Sequence, residues 1–181
     1  MRPQLFVLGI AVVLCLPSAA AAQRMPHENA TAIGAEGAVF MPKQAGMDTG
    51  PDFGGFFEHY MTARNALRVA GEWSNPKFER EHADSVRQVR LGADIVHNWE
   101  GGKIHPFVGA GLGAYFLQQK DNGNSIGDSG TKLGGALLGG LEYFTSNTFS
   151  VKGEARYHIV PKWNGYDPSG LSLTIGVKGY F

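Results

Sequence analysis

The chain has 181 residues with 16 basic and 16 acidic side chains, 26 glycines and one cysteine. Its length is that of one domain, and a formal charge of zero provides none of the basic surface that nucleic acid requires. A mean hydropathy of −0.15 excludes a bundle of membrane-spanning helices.

Met1-Arg2, the apolar run from Leu5 to Leu16, Pro17-Ser18 and the alanines at 19–22 have the charged, apolar and small-residue regions of a secretory signal, with cleavage expected after Ala22. About a dozen apolar residues are too few to cross a bilayer as a helix. Cys15 lies inside this segment, preceded by Val13-Leu14 rather than the small residues that lipid attachment needs. The mature chain is therefore expected to have no disulfide and no thiol for catalysis or metal binding. Residues 23–31 read as a short polar leader, and residues 32–181 as one domain.

From Ile33 onward, apolar and polar residues alternate with the period of two that a strand imposes. The first predicted strand, Ile33 to Phe40, sets Ile33, Ala35, Gly37 and Val39 against Gly34, Glu36, Ala38 and Phe40. Two prolines and two glycines between Met41 and Asp52 break it. The second, Phe53 to Met61, carries Glu58 on its polar face. A tight link at Thr62 to Asn65 leads to the third, Ala66 to Trp73, where Arg68 and Glu72 oppose Leu67, Val69 and Trp73. A charged stretch at 74–85 precedes the fourth, Arg87 to Trp99, in which Arg90, Gly92 and Asp94 oppose Val89, Leu91, Ala93 and Ile95.

After a turn at Glu100 to Lys103, the fifth strand, Pro106 to Gln118, places Gly109, Gly111, Gly113 and Tyr115 on one face. Such glycines leave room across a narrow barrel or let the sheet bend. Residues 119–131 are polar and glycine-rich, and read as a long loop. The sixth strand, Lys132 to Phe144, sets Lys132, Ala136, Leu138 and Glu142 against Leu133, Leu137, Leu141 and Tyr143. Thr145 to Thr148 turns into the seventh, where Ser150, Lys152, Glu154, Arg156 and His158 oppose Phe149, Val151, Ala155, Tyr157 and Ile159. In the last, Leu171 to Phe181, the polar face holds Ser172, Thr174, Gly176, Lys178 and Tyr180.

About eight strands joined by alternating long and short connections have the rhythm of membrane-spanning barrels. The expected fold is all-β: a closed antiparallel up-and-down transmembrane β-barrel, closed because an open edge in lipid would leave backbone groups unsatisfied. Its polar face would carry six acids, Glu36, Glu58, Glu72, Asp94, Glu142 and Glu154, and six bases, Arg68, Arg90, Lys132, Lys152, Arg156 and Lys178. Facing lipid, each Arg or Lys near the midplane would cost about 2 to 4 kcal/mol, so these residues are expected to face inward. There they would form a lumen-filling network that fixes register and blocks flow. Trp73, Trp99, Tyr143, Phe149, Tyr157 and Phe181 fall toward strand ends, where interfacial aromatic belts belong. Ser150, Glu154 and His158 invite a hydrolase reading, but residues four apart on a strand lie about 13 Å apart, beyond the reach of nucleophile and base. No catalytic residue, cofactor or metal site is expected.

The terminal strand resembles that of bacterial outer-membrane β-barrels, in which a polar residue, a glycine and spaced hydrophobics ending on Phe are read by the barrel-assembly machinery. Thr174, Gly176 and Phe181 match that pattern, whereas Gly179 stands where the family favours a bulky apolar or aromatic residue. His105-Pro106-Phe107-Val108-Gly109-Ala110-Gly111-Leu112-Gly113 resembles the central Pro-aromatic-Val-Gly-x-Gly strand of small outer-membrane barrels. Glu58 to Thr62 with Leu67-Arg68-Val69 resembles their second hairpin. The whole is similar to the group that includes the membrane domain of outer membrane protein A and its virulence-associated relatives.

The resemblance implies outer-membrane residence, contact with membrane lipid and lipopolysaccharide, delivery by periplasmic chaperones to the assembly machinery, and a monomer without cofactor. It implies a structural or surface-interaction role whose ligand is not legible. Three other readings use the same alternation: a small-pore channel, a secreted soluble barrel of the lipocalin type, and a lipid-modifying outer-membrane enzyme. Against the last, His158 is followed by Ile159 and Val160, so the His-x-Ser pairing of lipid A deacylases is missing.

Overall fold

Side chains that alternate along a strand become two separate surfaces once neighbouring strands pair in register, and here the pairing runs all the way round. The computed structural model describes residues 26–79, 84–100, 102–121 and 124–181. The secretory segment with Cys15, the first residues of the leader and residues 80–83 lie outside them. The eight strands are Thr31–Pro42 (β1), Gly50–Tyr60 (β2), Asn65–Ser74 (β3), Asp84–Asn98 (β4), Ile104–Asp121 (β5), Asn124–Phe144 (β6), Phe149–Ile159 (β7) and Gly170–Tyr180 (β8). Each pairs antiparallel with the next, and β8 pairs back with β1 to close the barrel.

The faces fall as the alternation predicts. Ile33, Leu112, Leu133 and Ile175 are exposed on the outside, each more than half uncovered, while Glu58, Arg68, Asp94, Lys152 and Lys178 are buried within. Glycines on the inner face make room for the long side chains opposite. A Cβ at Gly111 would run into the Asp94 carboxylate, and one at Gly92 would lie 2.6 Å from Arg90 Nη2.

Several strands are longer than their polarity suggests. β1 continues through Pro42 and β2 begins at Gly50, so the predicted break at 41–52 shrinks to a short connection. Pro42 and Pro51 sit at strand ends, where a missing N–H is tolerated. β1 also starts at Thr31, and the preceding Ala30 is fully buried at the barrel's end rather than trailing in a polar leader.

The largest departure is the predicted loop at 119–131, whose described residues, 119–121 and 124–131, are strand. β5 runs to Asp121 and β6 starts at Asn124, with Asp121 opposite Asn124 and Gln118 opposite Ser129. A register shift between Gln118 and Lys120 accompanies Gly127 at φ 65°. β4 rises alongside, with Asp84 opposite Asp121. Because β7 ends at Ile159, opposite Gly135, the outer part of β6 stands clear of it.

The two ends of the barrel differ. The connections at 61–64, 99–103 and 145–148, with the start of β1 and the end of β8, share one end; the longer connections and the tall β5–β6 hairpin share the other. Tyr60, Tyr180, Phe144, Ala32 and Ala66 pack together inside the turn end. Met47, Val86, Leu117, Trp163 and Tyr166, with Phe78 against them, pack across the loop end.

Candidate functional site

The inward faces bring most of the predicted charges into one connected network. Near the turn end, Lys178 Nζ lies 2.6 Å from Glu58 Oε2 and 2.8 Å from Glu142 Oε2, and donates at 3.2 Å to each of the Tyr60 and Tyr180 hydroxyls. Tyr180 donates in turn to Glu142 Oε1 at 2.5 Å, and Ser150 donates to the same carboxylate. Arg68 links this group to the middle of the lumen, with Nε 2.8 Å from Glu58 Oε1 and Nη1 2.5 Å from Glu154 Oε2. Its guanidinium lies over the Phe56 ring, 4.8 Å from the centroid.

Glu154 also receives Lys152 Nζ at 2.9 Å and Arg156 Nε at 3.0 Å. Lys152 reaches Glu36 at 2.6 Å. Arg156 continues to Asp94 at 2.9 Å, and Arg90 bridges Asp94 at 2.5 Å to Glu72 at 2.9 Å. Toward the loop end arginines and lysines give way to histidine, tyrosine and serine. His158 contacts the Tyr115 hydroxyl at 3.1 Å and Ser172 Oγ at 3.2 Å, and Ser172 donates to Asp52 at 2.7 Å. Between Phe40, Asp52, Glu72, Ser74, Gln88, Arg90 and His158 remains a void of about 10 Å³, enough for one water molecule.

One predicted member is not part of this network. None of the ion pairs among the described residues includes Lys132, which is half-buried and pairs in register with Tyr115. It lies past the point where β7 ends, beyond the level of the strand that supplies Lys152, Glu154 and Arg156 to the network. The lumen network therefore joins six carboxylates to five cations. Ser150, Glu154 and His158 have separate partners and form no nucleophile-base pair.

Sequence reasoning missed Asp52 and Tyr60 as members of the packed lumen, and placed Ser172 and Tyr180 on the polar face of the last strand without assigning them to the network. It also missed the cap over the loop end. Trp163 and Tyr166 exchange backbone hydrogen bonds at 2.8 Å around Asn164 at φ 47° and Gly165 at φ 80°. An Asn-Gly pair is the strongest sequence signal for such a turn and was the available clue. The predicted belts do form. Trp99, Tyr143, Phe149 and Phe181 are exposed at the turn end, while Trp73 stacks on Phe53 at 6.1 Å toward the loop end, where Phe116 and Tyr157 are also exposed.

In the terminal strand, Thr174 is buried facing the lumen, and Gly176 leaves the space that Lys152 and Glu36 occupy. Phe181 exchanges backbone bonds with Thr31 at 2.9 and 3.2 Å and leaves its ring 73% exposed. The family model described as outer membrane protein beta-barrel domain matches residues 8–181. The chain belongs to that family.

Among solved structures it is similar to Neisserial surface protein A, with 17% identity over 84% of this chain and 96% of that one, at a TM-score of 0.67. It is similar to the outer membrane protein OprG from Pseudomonas aeruginosa, with 13% identity over 86% and 97% at 0.65. It also resembles Ail, the attachment invasion locus protein of Yersinia pestis, with 16% identity over 84% and 98% at 0.58. At these identities the likeness shows the fold alone, and no curated protein matches the chain. Membership of this family puts the barrel in the outer membrane, with its exposed apolar face toward lipid and the short turns on the periplasmic side. The soluble lipocalin reading is thereby set aside.

Removing one partner from a buried network strands the others, whereas a hydrated cation is held by little. Arg156→Ala should destabilise the folded barrel by about 3 to 5 kcal/mol. Lys132→Ala should change stability by no more than about 0.5 kcal/mol. Urea unfolding in lipid vesicles, followed by tryptophan fluorescence, measures both; equal effects would show that the network does not hold the lumen together.

Proposed function

We propose that this barrel is a monomeric, non-enzymatic surface-interaction protein that acts through its extracellular loops and the tall β4–β6 strands. The observation that carries this reading is the contrast between its inside and its outer end. Buried ion pairs span the lumen, and the void beside Arg90 holds about one water, while the outer end projects paired strands and packed loops well past the end of β7. A filled lumen disfavours the small-pore reading. The separate engagement of Ser150, Glu154 and His158 disfavours the enzymatic one.

We further infer that the chain leaves the cytoplasm by the signal at 1–22, is carried by periplasmic chaperones, and presents Thr174, Gly176 and Phe181 to the assembly machinery. Lipopolysaccharide would surround its outer half. Deleting Phe181 should leave protease-sensitive chain in the periplasm, and normal outer-membrane levels of the truncated chain would refute that role.

The surface role is tested on whole cells. Cells displaying the wild-type barrel should adhere to glycan-bearing host-cell layers several-fold better than cells lacking it. A variant whose hairpin is cut back to Gln119 and Gly130 should reach the outer membrane and lose most of that gain. Equal adhesion with and without the barrel would contradict the proposal.

A further inference from the structure

At the cap, five parts of the chain converge on one pocket: Gln44 from the β1–β2 connection, Phe78 from the β3–β4 connection, Val86 from β4, Gln119 from β5, and the turn from Trp163 to Tyr166. We propose that this pocket binds a neutral hexose unit of a surface glycan. The inference deepens the surface-interaction reading by naming a ligand class, and it rests on that reading.

The chemistry of the lining selects the ligand. The pocket has a volume of about 220 Å³, close to that of a single pyranose ring, and none of the described residues that line it is charged. An ionic ligand would lose hydration there and find no partner of opposite sign among these side chains. An acyl chain would fill the volume but cover the carboxamides of Gln119 and Asn164 and the N–H groups of Gln44 without pairing them. A carboxamide offers both donors and an acceptor, and a sugar hydroxyl is itself both. Trp163, Tyr166 and the half-buried Phe78 give the pocket its apolar wall, whose ring faces carry the negative charge that polarised C–H groups of a sugar approach.

Two further features favour a hydrogen-bonding guest. The Tyr166 hydroxyl is buried beneath the pocket wall and has no hydrogen-bond partner among the described residues. Burial and the nearby Asp167 carboxylate raise its pKa, so it remains a donor in need of an acceptor. The Gln44 carboxamide is fixed because its Oε1 accepts the Asp167 backbone N–H at 2.6 Å, which leaves its two N–H donors for a guest. At the tip of the turn, Asn164 is exposed and already held in the left-handed region at φ 47°.

The sugar has two possible sources, the saccharide of neighbouring lipopolysaccharide or a glycan on another surface. The full mature barrel in nanodiscs free of lipopolysaccharide, probed with neutral hexose disaccharides by saturation-transfer NMR, should show transfer to sugar-ring protons and a shift in tryptophan emission. Gln119→Ala with Asn164→Gly leaves Trp163, Tyr166 and the cap in place and should weaken binding by about tenfold or more, the loss expected for one or two hydrogen bonds. Absence of transfer from any neutral sugar, undiminished binding by the double variant, or preference for sulfated sugars would each overturn the proposal. If transfer is seen, its suppression by nanodiscs containing lipopolysaccharide with neutral core sugars assigns the site to the cell's own saccharide; its persistence assigns the site to another surface. Sugar binding without hairpin-dependent adhesion would fault the broader reading and leave the pocket standing. Adhesion without sugar binding would fault the pocket alone.

Discussion

Glu154 is held by Arg68 from β3 and by Lys152 and Arg156 on its own strand, β7. In a ring of eight strands, β3 and β7 face each other, so this carboxylate ties opposite walls together across the lumen. A second tie crosses from Arg156 on β7 to Asp94 on β4. The rest of the barrel depends on these contacts being complete. Charges of this kind add little net stability when paired, because desolvation offsets most of the attraction, but they are costly when unpaired. Register is therefore what they specify. A slip by one residue in β3, β4, β7 or β8 would turn its arginine or lysine toward lipid, at about 2 to 4 kcal/mol for each near the midplane.

The inward glycines belong to the same constraint. An arginine spanning a narrow barrel needs a facing residue without a side chain, and Gly92, Gly111 and Gly176 meet the atoms of Arg90, Asp94 and Lys152 where a Cβ would stand. Both ends of the lumen are closed as well, by the Tyr60–Tyr180 cluster at the turns and by Trp163 and Tyr166 at the loops. With the interior filled and shut, the outer strands and loops are the parts of the molecule free to meet other molecules.

Within the membrane, the sequence made the fold easy to read because water on one side and lipid on the other force a strict alternation. The faces of β7 and β8 were legible residue by residue for that reason, and so were most of the lumen charges. Beyond the membrane that pressure ends. Residues 119–131 are polar on both faces and so look like a loop, yet β5 continues to Asp121 and β6 begins at Asn124, with Lys120 opposite Ser125 and Asp121 opposite Asn124. Lys132 has the parity of a lumen residue but not the depth, since depth depends on how far β7 extends beside it. The contacts of Asp52 with Ser172, and of Trp163 with the mouth, join residues far apart in the chain that no local pattern brings together.

Current through the purified barrel in a planar lipid bilayer measures the filling of the lumen most directly. The cross-lumen ion pairs predict that wild-type protein, inserted and folded, passes no more current than the bare bilayer. Steady, ion-selective conductance from the wild-type barrel would contradict a lumen closed by its own charges.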